Sequence, residues 1–278
     1  MTVRAGGTVK DFMHRYLEVV PQDTTIVAAA ERMGVRLIGS VLVESVDPKR
    51  GLPGIVTETD LVRKVLAAGL DPTVTMVDQV MAGPIVTIAA ESSMLDASHL
   101  MELNHIRHLC VLEAGEIVGL ISVRDLVRSF VDAESGPVCE LDTVYRPLSV
   151  LMATTLGTIS SEESILAAAQ RMREKRIGSL LTIEAGEIVG IVTESDLVRK
   201  GLVCKLDSAS TRVGAVMSSP LIGIDINRTI RDASQVMAEQ GVRHLAVREN
   251  HKIVGVLSIR DLVKMVSVRD RPRFLGKT

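Results

Sequence analysis

The sequence predicts a mixed α/β chain built from four βαββα units, paired two and two with pseudo-twofold symmetry. The first observation behind this is a phrase written four times: GIVTETDLV (54–62), GLISVRDLV (119–127), GIVTESDLV (190–198) and GVLSIRDLV (255–263). The second is its spacing. The shared Asp falls at 60, 125, 196 and 261, at intervals of 65, 71 and 65, so every second copy lies 136 residues on. That pattern is two nested duplications of a unit about 65 residues long. The third is a change of apolar period inside each unit, from helical spacing to short β-type runs.

The third unit shows the elements in order. After an irregular opening, YRPLSVLMATTLGTIS, the Ser/Glu-rich SSEES (160–164) reads as a helix N-terminus. Ile165, Ala168, Ala169 and Met172 then recur on one helical face. GSLLTI reads as a strand, EAGEI as a turn, VGIVT as a second strand and ESDLVRKGLV as a closing helix. The order is strand, helix, strand, strand, helix. Other copies keep step: IRHLCVLEAGEIVGLISVRDLV (106–127) aligns without a gap to VRHLAVRENHKIVGVLSIRDLV (242–263), and AAAERM (28–33) matches AAAQRM (167–172). The first copy differs in a longer hairpin tip, SVDPKRGLPG (45–54), where loops absorb insertions. The expected units are 8–69, 73–132, 144–205 and 210–268, with 133–143 as a linker marked by Gly and Pro. One such unit buries too little surface to be comfortably stable. Pairing solves this, and sequence order suggests the pairs 1–135 and 140–278. The period is too long for a solenoid.

Composition narrows the function. Hydrophobic residues are 46% and charged residues 24%, but aromatics only 2%, so the core must be Val, Ile, Leu, Met and Ala. A net charge of −2 and the scarcity of aromatic stacking platforms argue against nucleic acid as the main partner. Cys110, Cys139 and Cys204 are scattered and odd in number, which fits reduced thiols in a cytoplasmic protein. The opening residues carry no apolar run of signal-peptide length, and no stretch is long enough to cross a membrane.

The repeated phrase has a structural reading and a functional one. Thr57/Asp60, Ser122/Asp125, Thr193/Asp196 and Ser258/Asp261 all fit the capping box. Its alternation is not explained by capping. Copies one and three place Glu58 or Glu194 in the first helical turn, as the helix dipole prefers. Copies two and four carry Arg124 and Arg260 there, where copies one and three have Thr59 and Ser195. A cation in the first turn breaks a local rule, which is expected where function overrides stability. A helix N-terminus is already suited to an anion, so the arginines point to a phosphate. The same two copies begin a strand with Arg107–His108 or Arg243–His244. Neighbouring strand residues face opposite ways, so one of each pair is expected at the site and the other in solvent. His99 and His105 have no counterparts in copy four and no completing ligands at usable spacing, so no metal site is expected.

Four units ending in G-h-h-[ST]-x-x-D-L, with h apolar, resemble cystathionine-β-synthase (CBS) domains over residues 8–268 or so. The single-chain, four-unit layout is similar to the γ subunit of AMP-activated protein kinase and to stand-alone archaeal and bacterial proteins. The resemblance implies βαββα units paired into two Bateman modules that bind adenine nucleotides or related adenosyl compounds in clefts between paired units. It implies ribose contacts from Asp60, Asp125, Asp196 and Asp261 with Thr57, Ser122, Thr193 and Ser258. It implies adenine packing on Ile55, Leu120, Ile191 and Val256, and reading of the base edge by the backbone around Val19, Thr87, Thr158 and Gly223. Arg124 and Arg260 match family positions that hold phosphate. Arg107–His108 and Arg243–His244 match a His–Arg pair in reversed order. Because copies one and three lack these arginines, the four sites are expected to be unequal.

No nucleophile elbow, H-E-x-x-H or Gly-rich phosphate loop is present, and the repeats fill the chain. The expectation is a non-catalytic sensor with no required cofactor. Its ligand would be AMP, ADP or ATP, its readout a protein effector of unknown identity, and its assembly a monomer or homodimer. S-adenosylmethionine is the alternative ligand, and a ligand-free scaffold the alternative class.

Overall fold

The computed structural model of the protein describes residues 7–45, 52, 54–132 and 147–262. The expected linker 133–143, Cys139 and most of the first hairpin tip lie outside these residues.

Repeat one opens with α1 (Val9–Phe12), then runs β1 (Val19–Pro21), α2 (Ile26–Arg36), β2 (Ser40–Glu44) and β3 (Gly54–Thr57). It closes with α3 (Glu58–Asp60), which continues in π geometry over Leu61–Val65. Repeat two runs β4 (Thr87–Ala89), α4 (Met94–Leu103), β5 (His108–Glu113), β6 (Glu116–Ser122) and α5 (Val123–Asp132). Repeat three runs β7 (Thr158–Ser160), α6 (Ile165–Lys175), β8 (Ser179–Glu184), β9 (Glu187–Thr193) and α7 (Glu194–Asp196), again followed by π geometry over Leu197–Leu202. Repeat four opens with α8 (Val213–Val216) and runs β10 (Gly223–Asp225), α9 (Ile230–Gln240), β11 (His244–Glu249) and β12 (Lys252–Ser258), with residues 259–262 starting its closing helix.

The order strand, helix, strand, strand, helix therefore holds in all four repeats. The long helices start where the sequence offers a hydroxyl: Thr25, Ser93, Ser164 and Thr229 each accept from a backbone amide three residues on. The helix carries the chain back so that the first strand pairs parallel with the second, and a hairpin returns the third antiparallel. The second strand is thus central. Val111 and Leu109 of β5 face the core with Ile88 and Ile121, while Thr87, Cys110 and Leu120 pair in one row on the opposite face.

The opening segments are exchanged. His14, before β1, trades backbone hydrogen bonds of 2.9 Å with Leu120 of repeat two, and Ala82 does the same with Ile55 of repeat one. Ala153 pairs in this way with Val256, and Ser218 with Ile191. The first glycine of the phrase permits this approach. A Cβ on Gly119 would stand 2.6 Å from Met13 Sδ and 3.0 Å from the His14 carbonyl oxygen. Gly54, Gly190 and Gly255 meet Met81, Met217 and Met152 in the same way.

The described residues form two compact units, each with its own core. One contains residues 17–85 and 156–221, with Ile26, Met33, Val41 and Val56 packed among Ile165, Met172, Leu180 and Val192. The other contains residues up to 16, 86–155 and from 222, with Met101, Leu109 and Ile121 packed among Met237, Leu245 and Leu257. The buried side chains of both cores are aliphatic, as composition required. Pairing differs from the sequence-order expectation of 1–135 and 140–278: the packed cores join repeats one with three and two with four. Helix packing is the physical reason: α2 and α6 each pack on the closing helix of the other's repeat, and α5 packs on α9, whereas the exchanged openings lie on the sheet of the sequence neighbour.

Candidate functional site

Each phrase folds as its capping box requires. In repeat two, Ser122 donates to Asp125 Oδ2 from its backbone nitrogen at 2.8 Å and from Oγ at 2.7 Å. Thr57 binds Asp60 Oδ2 in the same way at 3.0 and 2.6 Å, and Thr193 binds Asp196 Oδ2 at 2.9 and 2.6 Å. Ser258 binds Asp261 Oδ2 likewise. The cap uses one carboxylate oxygen and leaves Oδ1 directed elsewhere.

What meets Oδ1 differs among the repeats, and the sequence reading missed it. Lys64 lies 2.8 Å from Asp60 Oδ1 and donates to the Val80 carbonyl at 2.7 Å. Lys200 lies 2.8 Å from Asp196 Oδ1, which also accepts from Ser218 Oγ at 2.8 Å. In repeat two, His14 Nε2 donates to Asp125 Oδ1 at 2.9 Å. Each of these contacts ties the carboxylate to an exchanged opening segment. In repeat four the corresponding opening residue is Ala153, which has no polar side chain. Two sequence signals existed: the phrase continues to Lys64 and Lys200 in the odd copies but to Ser129 and Met265 in the even ones, and the residue after the opening methionine is His14, Ala82, Ala153 or Ser218.

The titration of the repeat-two pair follows from these bonds. The hydrogen bond to Asp125 raises the His14 imidazole above its ordinary 6.5, against burial and the nearby Arg128 and Arg124. Burial works to raise Asp125, but the bonds from His14 and Ser122 outweigh it and leave the carboxyl below 3.8.

The residues expected to hold adenine fall in single rows. Val19, Leu42 and Ile55 are register partners across one sheet, and Thr87, Cys110 and Leu120 across the next. Thr158, Leu181 and Ile191, then Gly223, Ala246 and Val256, repeat the arrangement. Each row lies on the face opposite its core, and its outer members are mostly half-buried. Cys110, mid-row, is buried, and burial pushes its thiol up to about 11, so it is an inert apolar filler.

The alternating first turn separates the two units. Around repeats one and three, Glu58 and Glu194 are buried and form a reciprocal cluster. Thr59 Oγ1 donates to Glu194 Oε2 and Ser195 Oγ to Glu58 Oε1, both at 2.8 Å. Arg63 lies 3.2 Å from Glu194 Oε1, and Arg199 lies 3.5 Å from Glu58 Oε1. Within each repeat, the carbonyls of Gly39 and Gly178 accept the backbone amides of Glu58 and Glu194 respectively. A Cβ on Gly178 would stand 3.5 Å from Glu194 Oε2. Around repeats two and four, the glutamates become Val123 and Ile259 and the glycines become Arg107 and Arg243, whose carbonyls accept the amides of Val123 and Ile259.

Beside this part of the unit lies a pocket of about 160 Å³ lined by Met101, Glu102, His105, Ile106, Arg107, Val123 and Arg260. Arg107 and Arg260, from different repeats of the unit, thus converge. Arg107 and Arg243 precede their strands and are not part of them, while His108 and His244 are the first strand residues, paired with Ser122 and Ser258. Arg124 is exposed on the first turn of α5. No group of His, Cys, Asp and Glu side chains among the described residues is arranged to hold a metal ion. Nor is any described helix long and apolar enough to cross a membrane.

Comparison with known proteins places this geometry in a family. The profile of the CBS domain matches residues 9–67, 77–132, 148–202 and 213–268. The CBS domain-containing protein CBSCBSPB2 of Arabidopsis thaliana is 27% identical over 270 residues, covering 86% of this chain and 49% of its own length. Hypoxic response protein 1 of Mycobacterium tuberculosis is 30% identical over 115 residues, covering 41% of this chain and 80% of its own length. This chain spans about half the length of the Arabidopsis relatives it matches. Among solved structures, protein MJ1225 of Methanocaldococcus jannaschii, proposed as an archaeal homologue of γ-AMPK, superposes with a TM-score of 0.73 at 18% identity, covering 93% of this chain and 99% of that one. An uncharacterised conserved protein of Pyrococcus horikoshii superposes with a TM-score of 0.62 at 18% identity, covering 94% and 100%. At those identities the likeness is one of fold. With four profile matches taking up most of its sequence, the chain belongs to the CBS domain family, whose members are generally regulatory.

Proposed function

We propose that this chain is a non-catalytic sensor that binds an adenine nucleotide, AMP, ADP or ATP, in the unit of repeats two and four and signals its occupancy to a protein effector. The observation that carries the reading is the convergence of Arg107 and Arg260 on one pocket in the unit whose capped carboxylates are Asp125 and Asp261. A carboxylate oxygen can accept from ribose hydroxyls, and guanidinium groups suit phosphate oxygens. Arg124 and Arg243 take the corresponding places in the partner repeat of each. The adenine would lie on the rows ending at Leu120 and Val256. The likeness in fold to a proposed γ-AMPK homologue agrees with this ligand class.

The odd repeats are predicted to be weak sites. Their first turns carry Glu58 and Glu194 in place of an apolar residue and Thr59 and Ser195 in place of arginine, and Lys64 and Lys200 engage the carboxylate oxygens left over by the caps. Calorimetry with AMP should therefore give about two sites per chain and not four; four equal sites would contradict the assignment.

The direct test is thermal unfolding of ligand-stripped protein with AMP, ADP, ATP, adenosine or S-adenosylmethionine. Free ligand at about 100 times its dissociation constant adds roughly 2.7 kcal/mol per site. A nucleotide-dependent shift that vanishes in the Asp125→Ala, Asp261→Ala double variant supports the sensor. A response to S-adenosylmethionine alone moves the ligand to methyl metabolism, and no response to any compound leaves the scaffold class.

A further inference from the structure

The opening segment of repeat one brings a titratable side chain to a carboxylate of another repeat. His14 stands one residue past Met13, which packs against Gly119, and its backbone is locked to Leu120 by two hydrogen bonds of 2.9 Å. From that anchored position Nε2 reaches Asp125 Oδ1, the oxygen the Ser122 cap does not use. The imidazole is largely exposed, at 66%, while the carboxylate is 8% exposed, so the ring sits over the acid at its solvent side. The other three repeats place Ala82, Ala153 or Ser218 at the position of His14.

We propose that His14 is an internal, proton-controlled competitor for the ribose hydroxyls at the repeat-two site, so that this site binds its nucleoside with release of a proton. The inference rests on the reading of Asp125 as a ribose acceptor. A hydroxyl that donates to Oδ1 takes the lone pair now facing the imidazole. When the ring is charged, displacing it breaks a hydrogen-bonded ion pair; when neutral, it breaks only a hydrogen bond to the carboxylate, without the attraction of opposite charges. Bound ligand therefore lowers the proton affinity of His14, and by linkage affinity rises with pH through the titration of the ring. Among the side chains that hold Oδ1, only an imidazole changes charge between pH 5 and 8, so Lys64 and Lys200 impose no such dependence.

The charges facing His14 agree with this polarity. Asp125 is its acidic partner, and Arg124 and Arg128 on α5 oppose protonation. Farther along the opening segment, Lys10 is engaged with Glu113 and Glu91 and does not compete for Asp125. The raised proton affinity of the free imidazole is the reserve that ligand binding would release.

The test is calorimetric titration of the full chain with AMP from pH 5.5 to 8, in an Asp261→Ala background that removes the repeat-four carboxylate. His14→Ala and His14→Gln are measured in parallel, and because AMP titrates identically against all three, their affinity ratios isolate the ring. The expected result is that the parent tightens several-fold relative to both variants as pH rises, and that near pH 6.5 it releases more protons to buffer on binding than either variant, whose release reports the phosphate of AMP alone. Identical pH profiles for parent and His14→Ala overturn the inference while leaving nucleotide binding intact. So does weaker binding by His14→Ala at every pH, which would make the ring an attractive contact. No AMP binding by any of the three at any pH overturns the nucleotide reading itself, and this inference with it.

Discussion

The aspartate of each phrase divides its work between two oxygens: Oδ2 closes the helix cap and Oδ1 faces an exchanged segment. The first use is local and was legible in the T-x-x-D and S-x-x-D spacing. The second rests in the odd repeats on a lysine four residues on, but otherwise on residues as far as 111 positions away, such as His14 against Asp125, which no spacing within the phrase announces. The pair has a stability signature. His14, raised above 6.5, contributes stability that is full below that value and is lost as pH rises through its folded pKa. Asp125, lowered below 3.8, contributes stability above that value that is lost as pH falls through its folded pKa. The stability difference between parent and His14→Ala should therefore be largest between pH 3.8 and 6.5 and fade on either side, as denaturant unfolding across pH would read. A difference that grows above pH 7 would rule out the pair as its source. Glu194 is a second residue-scale case. Its side chain is 2% exposed and faces Thr59 and Arg63. Glu194→Ala removes an acceptor from half-buried Thr59 and Arg63, the latter keeping its bond to the Ile177 carbonyl, and should cost about 1–3 kcal/mol in a denaturant titration.

At the scale of elements, the third strand of each repeat carries a glycine because another segment lies against it. The glycine was visible in the phrase, but its cause, the Met13–His14 backbone crossing at β6, was not. Gly119→Ala should push the opening segment off the strand, at a cost of about 1–3 kcal/mol. Hydrogen exchange at the His14 and Leu120 amides should accelerate, while that at Leu109 and Val111 in the central strand changes little. Equal protection in parent and variant would mean that the segment absorbs the methyl without leaving. Closing helices also differ by repeat. The odd ones pass through π geometry at Leu61–Val65 and Leu197–Leu202, with Lys64 and Lys200 inside the widened turns and on the aspartates. π-turns inside helices are frequent at functional sites. Here they mark the carboxylates held by the chain's own lysines.

At the scale of the whole molecule, the cores do not follow the order of the sequence. Each core takes its side chains from alternate repeats, so a fragment of residues 1–132 holds half of each. Such a fragment should fold only by taking the missing halves from a second copy. Sedimentation should show a dimer whose melting temperature rises with concentration. A stable monomeric fragment would show that sequence-adjacent repeats suffice.

The repeat count, the order of elements within a repeat, the aliphatic cores and the capped aspartates were all legible in the linear chain. These depend on spacing within about 65 residues, and hydrophobic period, turn residues and capping are local properties. Which repeats share a core, and which opening segment lies on which sheet, emerged with the folded chain. The fold also set which opening-segment residue reaches a carboxylate's second oxygen, as His14 does at Asp125 and Ser218 at Asp196. It also accounts for the alternation in the phrase. In one unit the first turns meet as a buried Glu–Ser/Thr–Arg cluster, and in the other apolar residues replace the glutamates and arginines line a pocket. The physical reason is that these contacts join residues distant in the chain, and four copies of one local pattern can pair in more than one way until their side chains meet.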